Sequence, residues 1–322
     1  MTEPAGLPAI GLSELRAAAR LLAPFAHRTP VSTCATLDRV AGRRLFFKCE
    51  NLQKVGAFKF RGACNAVMRL TDEAAARGVA THSSGNHAQA LALAARLRGI
   101  PSHIVMPRNV PEVKRRAVED YGGRVILCEP TLEAREATAE RVVAETGASY
   151  VHPYDHPDVI AGQGTAALEL LEELPDLDAL VAPVGGGGLV AGTCLAARGI
   201  APGVRVFAAE PAGADDAARS KAAGRRIPQT APRTQADGLL TSLGALTWPY
   251  VRDVVERVIT VSEAEISAAM RLTWERAKLV IEPSAAVAVA AVLSPSFGGE
   301  GAPRRVGVIL SGGNADLDHL PW

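Results

Sequence analysis

Short, almost wholly apolar runs alternate along most of this chain with longer alanine-rich stretches of helical period. LFFKCE (45–50), GVATHS (78–83), SHIVMP (102–107), RVILCE (124–129), ALVAPV (179–184), RVFAAE (205–210) and RVGVIL (305–310) read as buried strands. HAQALALAARLRG (87–99), EAREATAERVVAETG (133–147) and GTAALELLEEL (164–174) read as helices between them. A strand apolar on both faces must be covered on both faces, and parallel neighbours need a crossover long enough to hold a helix. The pattern predicts an α/β protein with open, mostly parallel sheets flanked by helices. At 322 residues there is material for one large domain or two modest ones.

Aromatic residues make up only 4% of a chain that is 48% hydrophobic, so the core must come from Ala, Val, Leu and Ile. The formal net charge of +1 supplies no field that would draw a nucleic acid or a membrane surface. No uninterrupted apolar stretch reaches the ~18 residues of a transmembrane helix. The first ten residues, MTEPAGLPAI, lack a basic segment ahead of an apolar one, so a signal peptide is not expected. Cys34, Cys49, Cys64, Cys128 and Cys194 are odd in number and form no C-x-x-C pair. They read as reduced core residues, and a cytoplasmic location is expected. The Pro/Gly-rich ends of the pattern, the N-terminal arm and SPSFGGEGAP, read as an arm and a surface loop.

Four segments carry chemistry. In VAPVGGGGLVAG (181–192) an apolar strand runs into Gly185, Gly186, Gly187 and Gly188 and then into a helical stretch. Consecutive glycines leave amides free to face an anion at a helix start. No Lys-Ser/Thr follows and the G-x-G-x-x-G layout is missing, so a single compact phosphate fits better than a nucleotide. The plain alternative is a flexible turn. GAFKFRGACNAV (56–67) sets Lys59 between two phenylalanines, an apolar setting that lowers an amine pKa and favours imine chemistry. Taken alone, Lys59 reads rather as an ordinary surface lysine at a helix start. THSSGNHAQA (81–90) follows a strand and opens a helix, offering hydroxyls, an amide and an imidazole to a carboxylate, or simply a cap. SGGN (311–314) ends the last strand, where ligands of open α/β sheets gather, or is a tight turn.

Together these segments resemble the fold-type II (tryptophan synthase β-like) pyridoxal-phosphate (PLP) enzymes. The nearest likeness is to the serine racemase, serine/threonine dehydratase and 3-hydroxyaspartate dehydratase group. It runs from HRTPV (27–31) to the final SGGNADLDHLPW and rests on GAFKFRGA, HSSGNHAQA, PYDHPDVIAGQGT, GGGGL, AAEPAGADD and LSGGN in that order. The resemblance implies two open, twisted sheets, a large PLP-binding domain from 1–76 and 152–322, and a small domain from 77–151 with the site between them. It implies a homodimer and a small amino-acid substrate.

The same resemblance implies roles. Lys59 would be the Schiff-base lysine and, once free, the base for the α-proton. Phe58 would pack on the cofactor ring, Gly185 to Gly188 would cradle its phosphate, Asn86 would bond its phenolic oxygen and Ser311 would meet its ring nitrogen. A neutral serine there favours prompt elimination over transamination. Ser83, Ser84, Asn86 and His87 would surround the substrate carboxylate, with Arg135 reaching in and Gly238 on a substrate-side loop. The matching activity is removal of water and then ammonia from serine, threonine or 3-hydroxyaspartate. Ser84 matches the second acid/base of serine racemases, so racemisation with elimination as a second activity is the alternative; β-replacement, as in cysteine synthase, and a small-anion binding module are more distant ones. Tyr154 and Thr241 depart from the asparagine and serine of mammalian racemases. A dicarboxylate substrate would call on His87, Arg135 or His152.

Glu210, Asp215 and Asp216 lie in EPAGADD after a strand, a spacing that suits a hard cation or an acidic helix start. The resemblance assigns Glu210, the Ala214 carbonyl and Asp216 to Mg²⁺, Mn²⁺ or Ca²⁺.

Overall fold

A computed structural model describes residues 10–298 and 301–322. The N-terminal arm and two residues of the SPSFGGEGAP loop lie outside the described residues.

Among the described residues, ten strands form two sheets. They are β1 (Val31–Ser32), β2 (Arg44–Cys49), β3 (Val79–His82), β4 (Ser102–Pro107), β5 (Arg124–Cys128), β6 (Ser149–Tyr150), β7 (Ala179–Pro183), β8 (Arg205–Pro211), β9 (Val255–Val261) and β10 (Arg305–Leu310). The larger sheet has the order β1-β2-β10-β7-β8-β9, and the smaller β5-β4-β3-β6. All neighbours are parallel except β1 against β2. This is the expected α/β architecture. The seven apolar runs became strands; β7 and β10 are buried along nearly their whole length and lie at the centre of the larger sheet.

One helix, Pro157–Glu173, sets the larger half. It starts seven residues before the run read as helical (164–174), because His156 caps it and proline occupies its first turn. It packs backbone-to-backbone on two others. A Cβ added at Gly162 would lie 2.6 Å from the Gly62 Cα, in the Lys59–Met68 helix. One added at Gly164 would lie 2.7 Å from the Gly192 carbonyl oxygen, in the Gly188–Ile200 helix. Only glycine permits both approaches, and they fix the start of the lysine helix relative to the tetraglycine turn.

Beneath the lysine helix lies a cluster of buried charge. The Arg61 guanidinium donates to both Glu50 oxygens, at 2.7 and 2.8 Å, and to both Glu169 oxygens, at 2.7 and 2.9 Å. Lys48 Nζ donates to Glu169 and to the Thr29 carbonyl, each at 2.6 Å. Burial opposes the Arg61 charge, but the two carboxylates more than restore it. All five cysteines are free and buried, as read from the sequence. No helix among the described residues is long and apolar enough to cross a membrane.

Candidate active site

Lys59 opens its helix, and its Nζ donates to the Pro153 carbonyl at 2.8 Å, 5.3 Å from the centre of the Phe58 ring. Burial draws the amine down to about 8, while the Glu282 carboxylate holds it up. The Phe58 N–H donates to the Ser311 carbonyl at 3.0 Å, so the lysine turn and the SGGN loop are stitched together. Ser311 is buried.

The tetraglycine turn stands beside Pro153 because Tyr154 packs on it. A Cβ at Gly186 would fall 2.3 Å from the Tyr154 ring, and one at Gly188 3.0 Å from the Tyr154 Cβ. Gly187 has φ +90°, and its Cβ would meet the Thr247 hydroxyl at 2.7 Å; at Gly185 a Cβ would lie 2.9 Å from the Leu239 Cα. The glycines are therefore demanded by packing on the protein side. Their other side is open to hydrogen bonding: the N–H groups of Gly185, Gly186 and Gly187 meet no acceptor among the described residues. Gly238 adjoins the same wall, its N–H donating to Ser284 Oγ at 3.0 Å.

The serine loop comes from the other sheet, after β3. Ser83 Oγ accepts the Gly85 N–H, and the Ser84 hydroxyl makes no hydrogen bond among the described residues. Asn86 Nδ2 donates to the two Glu282 oxygens at 3.0 and 3.1 Å, and its Oδ1 accepts Asn314 Nδ2 at 2.8 Å. His87 Nε2 lies 3.1 Å from the Val151 carbonyl. A carbonyl only accepts, so Nε2 carries the hydrogen. Burial, with Lys59 close by, keeps the ring well below its ordinary pKa and neutral. His87 therefore brings no positive charge to a carboxylate. His152 is likewise drawn down to about 4, mainly by burial. Arg135 lies close enough to the loop to act on His82, and its buried Nε has no hydrogen-bond partner among the described residues.

A sequence profile described as pyridoxal-phosphate dependent enzyme matches residues 22–312. The chain belongs to this PLP-dependent family. It is 54% identical to a serine racemase of Arabidopsis thaliana over 300 residues, covering 92% of this chain and 91% of that one. It is 53% identical to a beta-hydroxyaspartate dehydratase of Paracoccus denitrificans over 311 residues, covering 96% and 98%. The solved structure of maize serine racemase superposes with a TM-score of 0.95 at 50% identity, covering 96% of this chain and 95% of that one.

A PLP enzyme needs an amine for the aldehyde and donors for the phosphate, and the residues present fit. The Lys59 amine and the partnerless N–H groups of the glycine turn flank one segment, Pro153–Tyr154. Two site residues escaped sequence reasoning. Glu282 is buried and drawn up to about 7, by burial first and then by Asp237; Asn314 joins it to Asn86. The signal for Glu282 was a lone acid between the apolar runs LVI and PSAAVAVAAVL.

The metal reading is less complete. Glu210 and Asp216 are both buried, and Glu210 accepts the N–H groups of Ala217 and Ala218 at 3.1 and 2.6 Å. Burial raises Glu210 to about 8 and Asp216 to about 6, and neighbouring carboxylates push each further. Two buried acids of like charge suit a cation. Among the described residues, however, no group of three or more His, Cys, Asp or Glu side chains could hold a metal, so any ion there also needs backbone oxygen or water.

Proposed function

We propose that this chain is a dehydratase that removes water and then ammonia from serine, threonine or 3-hydroxyaspartate, giving a keto acid. The observation that carries the reading is the Lys59 amine, drawn down to about 8 and held at the Pro153 carbonyl beside the tetraglycine turn. Near neutral pH part of it is free base, as both imine formation and proton abstraction require.

When bound, PLP supplies the electron sink that lets the substrate's α C–H bond break. Lys59 would hold the cofactor and, once free, take the α-proton. Gly185 to Gly188 would present N–H groups to the phosphate, Phe58 would back the ring, Ser311 would meet the ring nitrogen and Asn86 the phenolic oxygen. Ser83 and the backbone amides at the start of the Asn86 helix receive the substrate carboxylate. Arg135 and Gly238 bound the substrate's far end. The same reading divides the chain into a large domain (1–76 and 152–322) and a small one (77–151), and includes a homodimer in the cytoplasm. It also includes a divalent cation held by Glu210, Asp216 and the Ala214 carbonyl.

One observation favours a second reading, serine racemase with elimination as a side activity: the Ser84 hydroxyl is uncommitted and so available for proton transfer. The test is a panel of D- and L-serine, threonine and the 3-hydroxyaspartate stereoisomers, followed by keto-acid and chirality assays. Keto acid as the main product supports the dehydratase. Loss of optical activity outpacing keto acid supports the racemase. Neither product from any member overturns both.

A further inference from the structure

We propose that Thr247 is a positioning residue for the phosphate cradle, orienting the Gly186–Gly187 peptide so that its N–H faces the ligand. This rests on reading Gly185 to Gly188 as that cradle.

The Thr247 hydroxyl donates to the Gly186 carbonyl at 2.7 Å, and the Gly244 N–H reaches the same oxygen at 3.2 Å. In a trans peptide the carbonyl and the following N–H point to opposite sides. Anchoring the Gly186 oxygen inward therefore turns the Gly187 N–H outward. Glycine on both sides of this peptide leaves little steric resistance to a flip. A flipped peptide would present a carbonyl oxygen to the phosphate in place of a donor.

Thr247 is itself held. It is fully buried at the start of the Trp248–Asp253 helix, and its oxygen accepts the Gly244 N–H at 3.0 Å. The loop between them is pinned from across the site by Asp155, whose carboxylate accepts the Ala245 and Leu246 N–H groups at 3.0 and 2.8 Å. Asp155 follows Tyr154, whose ring covers Gly186. The HPYDHPD segment thus supports the turn from one side directly and from the other through Thr247.

The test compares how apoenzyme binds PLP and pyridoxal, which lacks the phosphate. Thr247→Val, which keeps the shape and removes the hydroxyl, is expected to weaken PLP binding ~10- to 100-fold, the loss of about one charge-assisted hydrogen bond. Pyridoxal binding should not change, and Thr247→Ser should restore PLP binding. A merely structural role would weaken both ligands alike, and that result, or PLP binding at the wild-type level, overturns the proposal. If wild-type apoenzyme itself shows no preference for PLP over pyridoxal, the cradle reading has failed. If Thr247→Val does not fold, Asp155→Asn decides: a smaller loss confined to PLP supports the proposal, and equal or unchanged binding of both ligands refutes it.

Discussion

The Lys59–Met68 helix and the Leu132–Thr146 helix, which carry Lys59 and Arg135, are held in contrasting ways. The first is buried from Phe60 to Val67, meets its neighbour glycine to glycine, and stands on the Arg61 charge cluster. The second buries only Ala139 and Val142, and Arg135 Nε has no partner among the described residues. The smaller sheet ends in an edge strand, β5, exposed along part of its length. Tight packing suits groups that hold a cofactor through every turnover. Sparse packing lowers the cost of local movement and suits groups that must admit and release a substrate.

The contrast breaks first at Lys59. Lys59→Ala should lower turnover by ~10⁴-fold or more, since it removes both the cofactor anchor and the base. Turnover within tenfold of wild type would refute its role. Next come the two arginines. Arg61→Met leaves Glu50 and Glu169 buried beside one cation fewer, at a cost of about 3–5 kcal/mol in urea unfolding. Arg135→Met should cost under about 1 kcal/mol and act instead on KM. Equal losses of stability would erase the distinction between the halves.

A smaller effect concerns Glu210, in β8, and Asp216, just after it. Glu210 is raised from 4.5 to about 8 and Asp216 from 3.8 to about 6 by burial. Between those limits the folded chain binds more protons than the unfolded chain. Without a cation these groups therefore make stability fall as pH climbs from the unfolded values through the folded ones. Mg²⁺, Mn²⁺ or Ca²⁺ should raise Tm more at pH ~8 than at pH ~5, because ionised carboxylates bind the ion. No rise with any of the three would remove the metal. The smallest effect sharpens the picture of the tightly held half. Glu282 holds the Lys59 amine up, so Glu282→Gln should move the inflection in PLP uptake by apoenzyme below about 8. An upward shift would contradict the contact.

The larger half was legible in sequence at its centre. Its central strands are continuous apolar runs, and its lysine and glycines sit in local motifs. β1 and β6 escaped because each has two residues, and β9 because VERVITV pairs with one neighbour only and so carries exposed polar residues. Glu282, Asn314 and Thr247 escaped because their roles arise from contacts between distant segments: Asn86 with Glu282, Asn314 with Asn86, and Thr247 with Gly186. The contact of the His87 ring with the Val151 carbonyl likewise joins segments distant in sequence.

Borohydride reduction of the PLP-loaded protein, followed by peptide mapping, tests the central claim most directly. Covalent label on Lys59 alone is the predicted result. Label on Lys48 or Lys54 with Lys59 unmodified, or no label at all, would contradict it.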